Sequence, residues 1–148
     1  MRRTSFADEI CPIARALEVV GDWWTLLVVR EALTGTTRFD DFRTQLGIAR
    51  NILAARLESL VEHGVLERRR YEEHPPRDEY VLTDKGRDLW RVVSSLAAWG
   101  MRWEGEGAKV GLRVTHADCG HSVRVKTVCP HCEQEVDTPH LQTSRRKV

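Results

Sequence analysis

The sequence predicts a mainly α-helical domain with one small β-hairpin, followed by a small β appendage organised around Cys and His. Three observations predict it. Over the first hundred residues, apolar side chains recur at helical spacing in five separated stretches. Residues 65–82 break that period with two extended runs around Pro75-Pro76. Three of the four cysteines, Cys119, Cys129 and Cys132, fall near the C-terminus. At 148 residues, 41% hydrophobic and 30% charged, the chain can bury one core and still carry an appendage. The expected boundaries are 8–104 for the main domain, 112–137 for the appendage and 138–148 for a disordered basic tail.

Cys11-Pro12 opens the first helix, with Pro at a position where its missing N–H costs nothing. Ile13, Leu17 and Val20 form its stripe, and Gly21 ends it. Asp22 is placed to cap a second helix, Trp23 to Leu33, which is apolar nearly all round and therefore central. A short third helix carries Phe39, Phe42 and Leu46 on one face and stops at Gly47. The fourth runs from Ala49 to Glu62 with Ile52, Leu53, Leu57, Leu60 and Val61 inward. Val65 to Glu72 and Glu79 to Leu82 then read as strands, with the prolines confined to the turn. Thr83 is expected to cap one long last helix with Leu89, Val92, Val93, Leu96, Trp99 and Trp103 as its stripe. Gly105, Gly107 and Gly111 mark a hinge, after which Leu112 to Thr115 and Val123 to Val128 alternate like short strands.

Helix, helix, tight turn, helix and hairpin is the order of a winged helix-turn-helix, with Leu46-Gly47-Ile48 as the turn. In such a unit the helix after the turn enters the major groove with its N-terminal residues toward base edges. Arg50 and Asn51 stand there, suited to guanine and adenine respectively, with Arg56 further along the outward side. The hairpin carries Arg68, Arg69 and Arg70 on its first strand and Arg77 at its tip. Alternation sends Arg68 and Arg70 to one face, which places Arg70 and Arg77 better than Arg69 to meet phosphate. Lys plus Arg is 23 against 22 for Asp plus Glu, a formal net charge of +1, which excludes a protein that coats nucleic acid by bulk charge. Residues 38–100 hold 11 basic and 11 acidic side chains, so a solvated neutral surface is the competing reading. Against it, Asp40, Asp41, Glu58 and Glu62 are expected to fall away from the recognition face.

Cys11-Pro12-Ile13, Gly21-Asp22-Trp23-Trp24-Thr25-Leu26-Leu27, Arg38-Phe39, Leu57, Leu60, Gly64-Val65-Leu66, Arg68, Pro75-Pro76, Glu79-Tyr80, Leu82-Thr83, Gly86 and Trp99-Gly100 stand in an order that resembles the HxlR-type transcriptional regulators, themselves similar to the MarR-like winged-helix group. The resemblance covers roughly residues 10–103. It implies a homodimer on a pseudo-palindromic double-stranded DNA operator, with the first and last helices forming the dimer interface. It also implies regulation, most simply repression, and no catalysis. Where such regulators usually carry Ser or Thr, this chain has Ala49, so register on DNA leans on Arg38, Arg50 and the hairpin.

Cys11 precedes the first helix, where the dipole and free N–H groups favour a thiolate. In some regulators of the resembling family a cysteine in this position senses oxidants or electrophiles; the competing reading is a cysteine that fills space at a dimer interface. A small-molecule effector in a pocket lined by Trp23, Trp24, Trp90, Trp99 and Trp103 is the alternative input, although such a stripe equally makes plain core. No apolar run is long enough to span a membrane, and no apolar leader follows Arg2-Arg3, so a reducing cytoplasmic setting is expected.

In that setting clustered cysteines bind metal or do redox chemistry more often than they form structural disulfides. His116-x₂-Cys119 and Cys129-x₂-Cys132 share one spacing, and together they read as a zinc-ribbon-like site for structural zinc. His121 is an alternative fourth ligand, and a reversible disulfide between Cys119 and Cys129 or Cys132 is the rival state. A thioredoxin-like reading of Cys129-Pro130-His131-Cys132 lacks the long helix that should follow it. The alternative function from another class is a redox-switch or metal-binding protein whose winged helix makes protein contacts.

Overall fold

The computed structural model describes residues 5–105 and 112–144. These divide into two compact units, one ending at Leu112 and one beginning at Arg113. Gly107, Gly111 and Arg145-Arg146-Lys147, expected as hinge and tail, lie outside the described residues.

The first unit runs α1 (Pro12–Val20), α2 (Trp23–Leu33), α3 (Phe39–Leu46), α4 (Arg50–Glu62), β1 (Leu66–Glu73), β2 (Pro76–Leu82), α5 (Asp84–Asp88) and α6 (Trp90–Trp103). The first four helices lie where the spacing predicts, and two of their boundaries show a local chemical cause. The Asp22 carboxylate accepts from the Trp24 N–H at 3.1 Å and so starts α2. Gly47 ends α3 in the left-handed region at φ 61°, where a side chain would be strained.

The core is built from the inner faces of α2, α3 and α4, the start of β1 and one residue of α6. Val28, Val29 and Ala32 of α2, Phe42 of α3, Leu53, Leu57 and Leu60 of α4, Val65, Leu66 and Val93 of α6 are all buried, with Ile48 beneath the turn. Ile52 and Val61, expected inward, are half-buried against that cluster. By contrast α1 has no buried residue and α6 has only Val93. Ile13, Leu17, Val92, Leu96, Trp99 and Trp103, read as inward stripes, are exposed in the single chain.

Two sequence expectations are corrected in the second half. The hairpin is longer than predicted: Pro76 is not confined to the turn but pairs with Glu73 as the first residue of β2, a place where a strand tolerates proline. The loop is only His74-Pro75, with a cis peptide bond. The single long last helix is two. Thr83 caps the short α5 by accepting from the Gly86 N–H at 3.1 Å, and a tight turn at Leu89 separates α5 from α6. The Thr83 hydroxyl also lies 2.7 Å from the Gly64 carbonyl, and Lys85 Nζ donates to the His63 carbonyl at 2.6 Å, so the start of α5 closes the end of α4.

In the second unit the expected strands are reduced to isolated bridges, Thr115 with Ser122 and Val128 with Glu135, and Thr138–His140 forms one 3₁₀ turn. No described residue of this unit is buried. No helix among the described residues is long and apolar enough to cross a membrane.

Gly86 is the position where this packing is least forgiving. A Cβ there would lie 2.1 Å from the Val65 carbonyl oxygen and 2.8 Å from Leu82 Cδ2. Gly86→Ala is expected to cost about 1–3 kcal/mol by overpacking, and Thr83→Ala about 1 kcal/mol by loss of the cap. The Thr83 hydroxyl also lies 3.1 Å from the same Val65 carbonyl, so the two sites are coupled and the double variant should fall short of the sum in denaturant unfolding. Full additivity would mean that the two side chains act independently.

Candidate nucleic-acid interface

β1 and β2 pair antiparallel from Leu66 opposite Leu82 to Glu73 opposite Pro76, with an irregularity at Tyr71, between Arg70 and Glu72. Eight residues thus face seven, and Tyr71 is the extra one, a β-bulge. The free edge of β2 is tethered to the chain just before α3: the Tyr80 N–H donates to the Thr37 carbonyl at 2.8 Å, and Arg38 bridges to Glu79. This tether brings the hairpin against the start of α3.

Between them lies an open cavity of about 560 Å³ whose walls include Arg38, Phe39, Arg50, Arg68, Tyr71, Arg77, Asp78 and Tyr80. Arg38 occupies the N-cap position of α3, and its guanidinium stacks over the Tyr71 ring at 4.8 Å. Arg50 is the first residue of α4 and lies 5.1 Å from the centre of the Phe39 ring. Neither N-cap residue, Arg38 or Ala49, supplies a side-chain cap bond, so backbone N–H groups at both helix starts remain available to an anion. Asn51 is exposed on α4 beside Arg50. Arg77 stands in β2 opposite Glu72, one residue inside the tip.

The remaining arginines of the hairpin are compensated. Asp78 accepts from Arg68 Nε and from Arg70 Nε, both at 2.7 Å, and Arg70 also reaches Glu73 at 3.7 Å. That shared partner confirms that Arg68 and Arg70 point to one face. Arg69 pairs with Glu67 at 2.9 Å. Arg38, Arg50 and Arg77 have no carboxylate partner among the described residues.

Two expectations about charge are revised. Asp40 and Asp41 do not fall away from this face; both line the cavity, because the first turn of α3 that favours acidic side chains is the turn that faces the hairpin. Arg56 turns toward the scaffold. Its guanidinium meets Asp22 at 3.1 Å, and its Nε is buried without a partner, so it ties α4 to the start of α2. Tyr71, Phe39 and Tyr80 also line this cavity, and the sequence reading does not place them at the binding face. A parity count of the two strands would have exposed the bulge, but only with both strand ends known.

The other expected sites are placed as follows. Cys11 is exposed at the N-cap position of α1, with no side-chain cap bond. None of the five tryptophans lines either of the two apolar cavities beside α6. All four cysteines are free. His116 Nδ1 lies 3.3 Å from Cys119 Sγ, and Cys129 is hydrogen-bonded by Cys132. The backbone N–H groups of Cys132 and His131 hold the Cys129 thiol below its usual range. Among the described residues, however, no three His, Cys, Asp or Glu side chains come together as one metal site. The four expected ligands stand as two pairs.

Residues 19–108 match the profile of the HxlR-like helix-turn-helix family. The chain is 42% identical over 126 residues to the HTH-type transcriptional regulator Rv3095 of Mycobacterium tuberculosis, covering 84% of this chain and 78% of that protein. Among solved structures it is similar to PA1607, a proposed transcription factor, with 38% identity and a TM-score of 0.80 over 97% of this chain and 100% of the other. It is also similar to the redox regulator HypR in its oxidised form, 32% identical with a TM-score of 0.57 over 62% of this chain and 96% of that one.

Asp78 supplies the pH dependence of the face. The bond from Arg70 is the main cause that lowers its carboxyl below the usual range, and Arg68 adds to it against partial desolvation. A lowered folded value means the pairing stabilises the hairpin fully above the ordinary carboxylate range and is lost as pH falls through the lowered value. In a carboxyl NMR titration Asp78 should therefore titrate below the exposed aspartates. An ordinary midpoint would show that the two arginines are not held.

Proposed function

The chain belongs to the HxlR-like helix-turn-helix family of transcriptional regulators, and from that premise we propose that it represses transcription as a homodimer on a two-fold-related duplex operator. The observation that carries the reading is the uncompensated trio Arg38, Arg50 and Arg77 around one cavity, at the starts of α3 and α4 and on the hairpin. α4 enters the major groove, and Arg50 and Asn51 at its first turn read base edges. Arg38 and Arg77 meet phosphates on either side, helped by the uncapped N–H groups of α3 and α4. Arg70 meets phosphate only by exchanging Asp78 for it, and Arg56 keeps the recognition helix in place from behind.

The homodimer is supported by the face that the chain leaves uncovered. Pro12, Ile13, Ala16 and Leu17 of α1 with Leu26, Val92 and Leu96 line an apolar groove of about 420 Å³. A contiguous apolar patch of this kind on a soluble chain marks an interface. A second copy covers it with the same face by two-fold symmetry, which also presents two recognition helices to two half-sites.

A redox input is the second reading, supported by the likeness to HypR and by the exposure of Cys11 at the start of α1, in the dimer face. Oxidation or alkylation there changes the packing of α1, and with it the separation of the recognition helices. For a small-molecule effector the apolar cavity beside α6, lined by Leu26, Val93, Leu96 and Met101, offers a site.

Selection of bound sequences from random duplex should recover a site with two-fold symmetry. On that site Arg50→Ala and Asn51→Ala should each cost roughly 1–3 kcal/mol and relax base preference. Arg77→Ala should weaken binding to all duplexes alike and flatten its salt dependence. Leu96→Asp should sediment as a monomer and lose the symmetric site. Absence of binding to any duplex would favour a protein-contact role for the winged helix. Separately, Cys11→Ser should hold its operator under peroxide, quinone or disulfide stress that releases the wild type; equal release from both would remove Cys11 from regulation.

A further inference from the structure

The second unit contains two copies of one backbone turn. In the first, the His116 N–H donates to the His121 carbonyl at 2.9 Å, the Gly120 N–H to the His116 carbonyl at 2.8 Å, and the Val123 N–H to the Val114 carbonyl at 2.8 Å. Thirteen residues on, Cys129 donates to Gln134 at 3.0 Å, Glu133 to Cys129 at 2.8 Å and Val136 to Thr127 at 2.9 Å. Each bond of the first turn has its counterpart, and each turn is closed by a single bridge, Thr115 with Ser122 and Val128 with Glu135. Both turns pass through the left-handed region at the same place, Gly120 at φ 70° and Glu133 at φ 57°. For Glu this is a strained conformation, so the turn geometry overrides the residue's own preference.

The offset that matches the backbones also matches the side chains. His116 corresponds to Cys129 and Cys119 to Cys132, so each turn presents two soft or borderline donors at the same two points. We propose that the two turns are the halves of one tetrahedral zinc site, with His116, Cys119, Cys129 and Cys132 as ligands. The donor set suits zinc, which takes Cys and His in four-coordinate structural sites. Among the described residues the pairs stand apart, and the site requires them to close on one ion.

Two further features belong to such a site. His116 turns Nδ1 toward Cys119 at 3.3 Å, while its Nε2 lies 3.6 Å from the Asp118 carboxylate. One ring nitrogen thus faces Cys119, and an acidic side chain stands near the other, on the side where metal-bound imidazoles commonly have an outer carboxylate. This arrangement selects His116 over His121 as the fourth ligand. In the second turn, backbone N–H groups of His131 and Cys132 point at the Cys129 sulfur, as they do when a thiolate carries the charge of a metal bond. On binding, the three thiols lose their protons to solvent and the imidazole stays neutral, so the ion's two positive charges meet three thiolates.

The need for an ion follows from burial. No described residue of this unit is buried, and Val114, Val123, Cys129 and Val136 are only half-covered. About thirty residues without a core are ordinarily held by metal or disulfide.

The test uses the full chain, purified under reducing conditions without chelator. Elemental analysis should find one zinc per chain, and Cys119→Ser and Cys132→Ser should each lose it while the first unit keeps its thermal transition. Replacing zinc with Co²⁺ in the wild type should give the intense visible bands of a tetrahedral thiolate site. His116→Ala should abolish or shift those bands, and His121→Ala should leave them unchanged. Wild type without metal, zinc retained by both serine variants, or a Cys119 disulfide found by mass spectrometry in place of metal would each overturn the proposal. Bands sensitive to His121 and not to His116 would overturn the ligand assignment.

Discussion

The hydrogen bond from the Tyr80 N–H to the Thr37 carbonyl is the constraint on which the binding face depends. A two-stranded hairpin has little stability alone, and this one keeps only Leu66 fully buried in the core. Pairing the far edge of β2 with residues 37 and 38 adds a third, very short strand. The residue that makes this pairing is the residue that starts α3. Arg38 is therefore fixed by the hairpin and the helix together, and Tyr71, displaced by the bulge, lies beneath its guanidinium. A hairpin detached at Thr37 would leave Arg38 and Arg77 without a common frame.

Local features were legible in the sequence, and features that depend on pairing across the chain were not. The ends of α1 to α4 could be read because Pro12, Asp22 and Gly47 act within a residue or two of themselves. The buried face of α4 could be read from period alone. The role of Arg56 could not, because its partner Asp22 lies two helices away and an outward-looking position on a helical projection says nothing of a neighbouring helix end. Tyr71 escaped for a similar reason: a bulge is a property of two strands in register. Asp40 and Asp41 were expected on the wrong side because the turn that attracts acids to a helix start also faces the hairpin.

The apolar stripes of α1 and α6 failed in a more informative way. Their spacing is genuinely helical, yet Trp99 is 56% exposed and Ile13 70% exposed. Periodicity reports that a face avoids water, and it cannot report whose side chains cover it. The same ambiguity runs through the charges. A net charge of +1 describes a chain in which the arginines of β1 already have carboxylates, Arg68 and Arg70 sharing Asp78 and Arg69 holding Glu67. What remains for DNA is a small set at defined places. Such a surface gains little from nonspecific attraction, since the counterions released scale with the cations that reach phosphate.

The two units are held together by different physics, and the difference explains why one could be read in detail and the other only as a spacing. In the first, stability is spread over many apolar contacts, so its sequence carries a periodic signal that survives any single substitution. In the second, order is concentrated in two turns whose information lies in a few backbone bonds and one left-handed residue each. Gly120 announces that conformation and Glu133 conceals it, so from sequence alone the two turns look similar at their ligands and unlike in their backbones. Their equivalence appears only in the bonds from Gly120 to His116 and from Glu133 to Cys129, both 2.8 Å. A turn that recurs with a residue ill suited to it is under external constraint, because nothing local favours Glu at φ 57°. No described residue of this unit is buried, so no apolar core imposes that constraint, and in both turns the same three backbone bonds close around the left-handed residue.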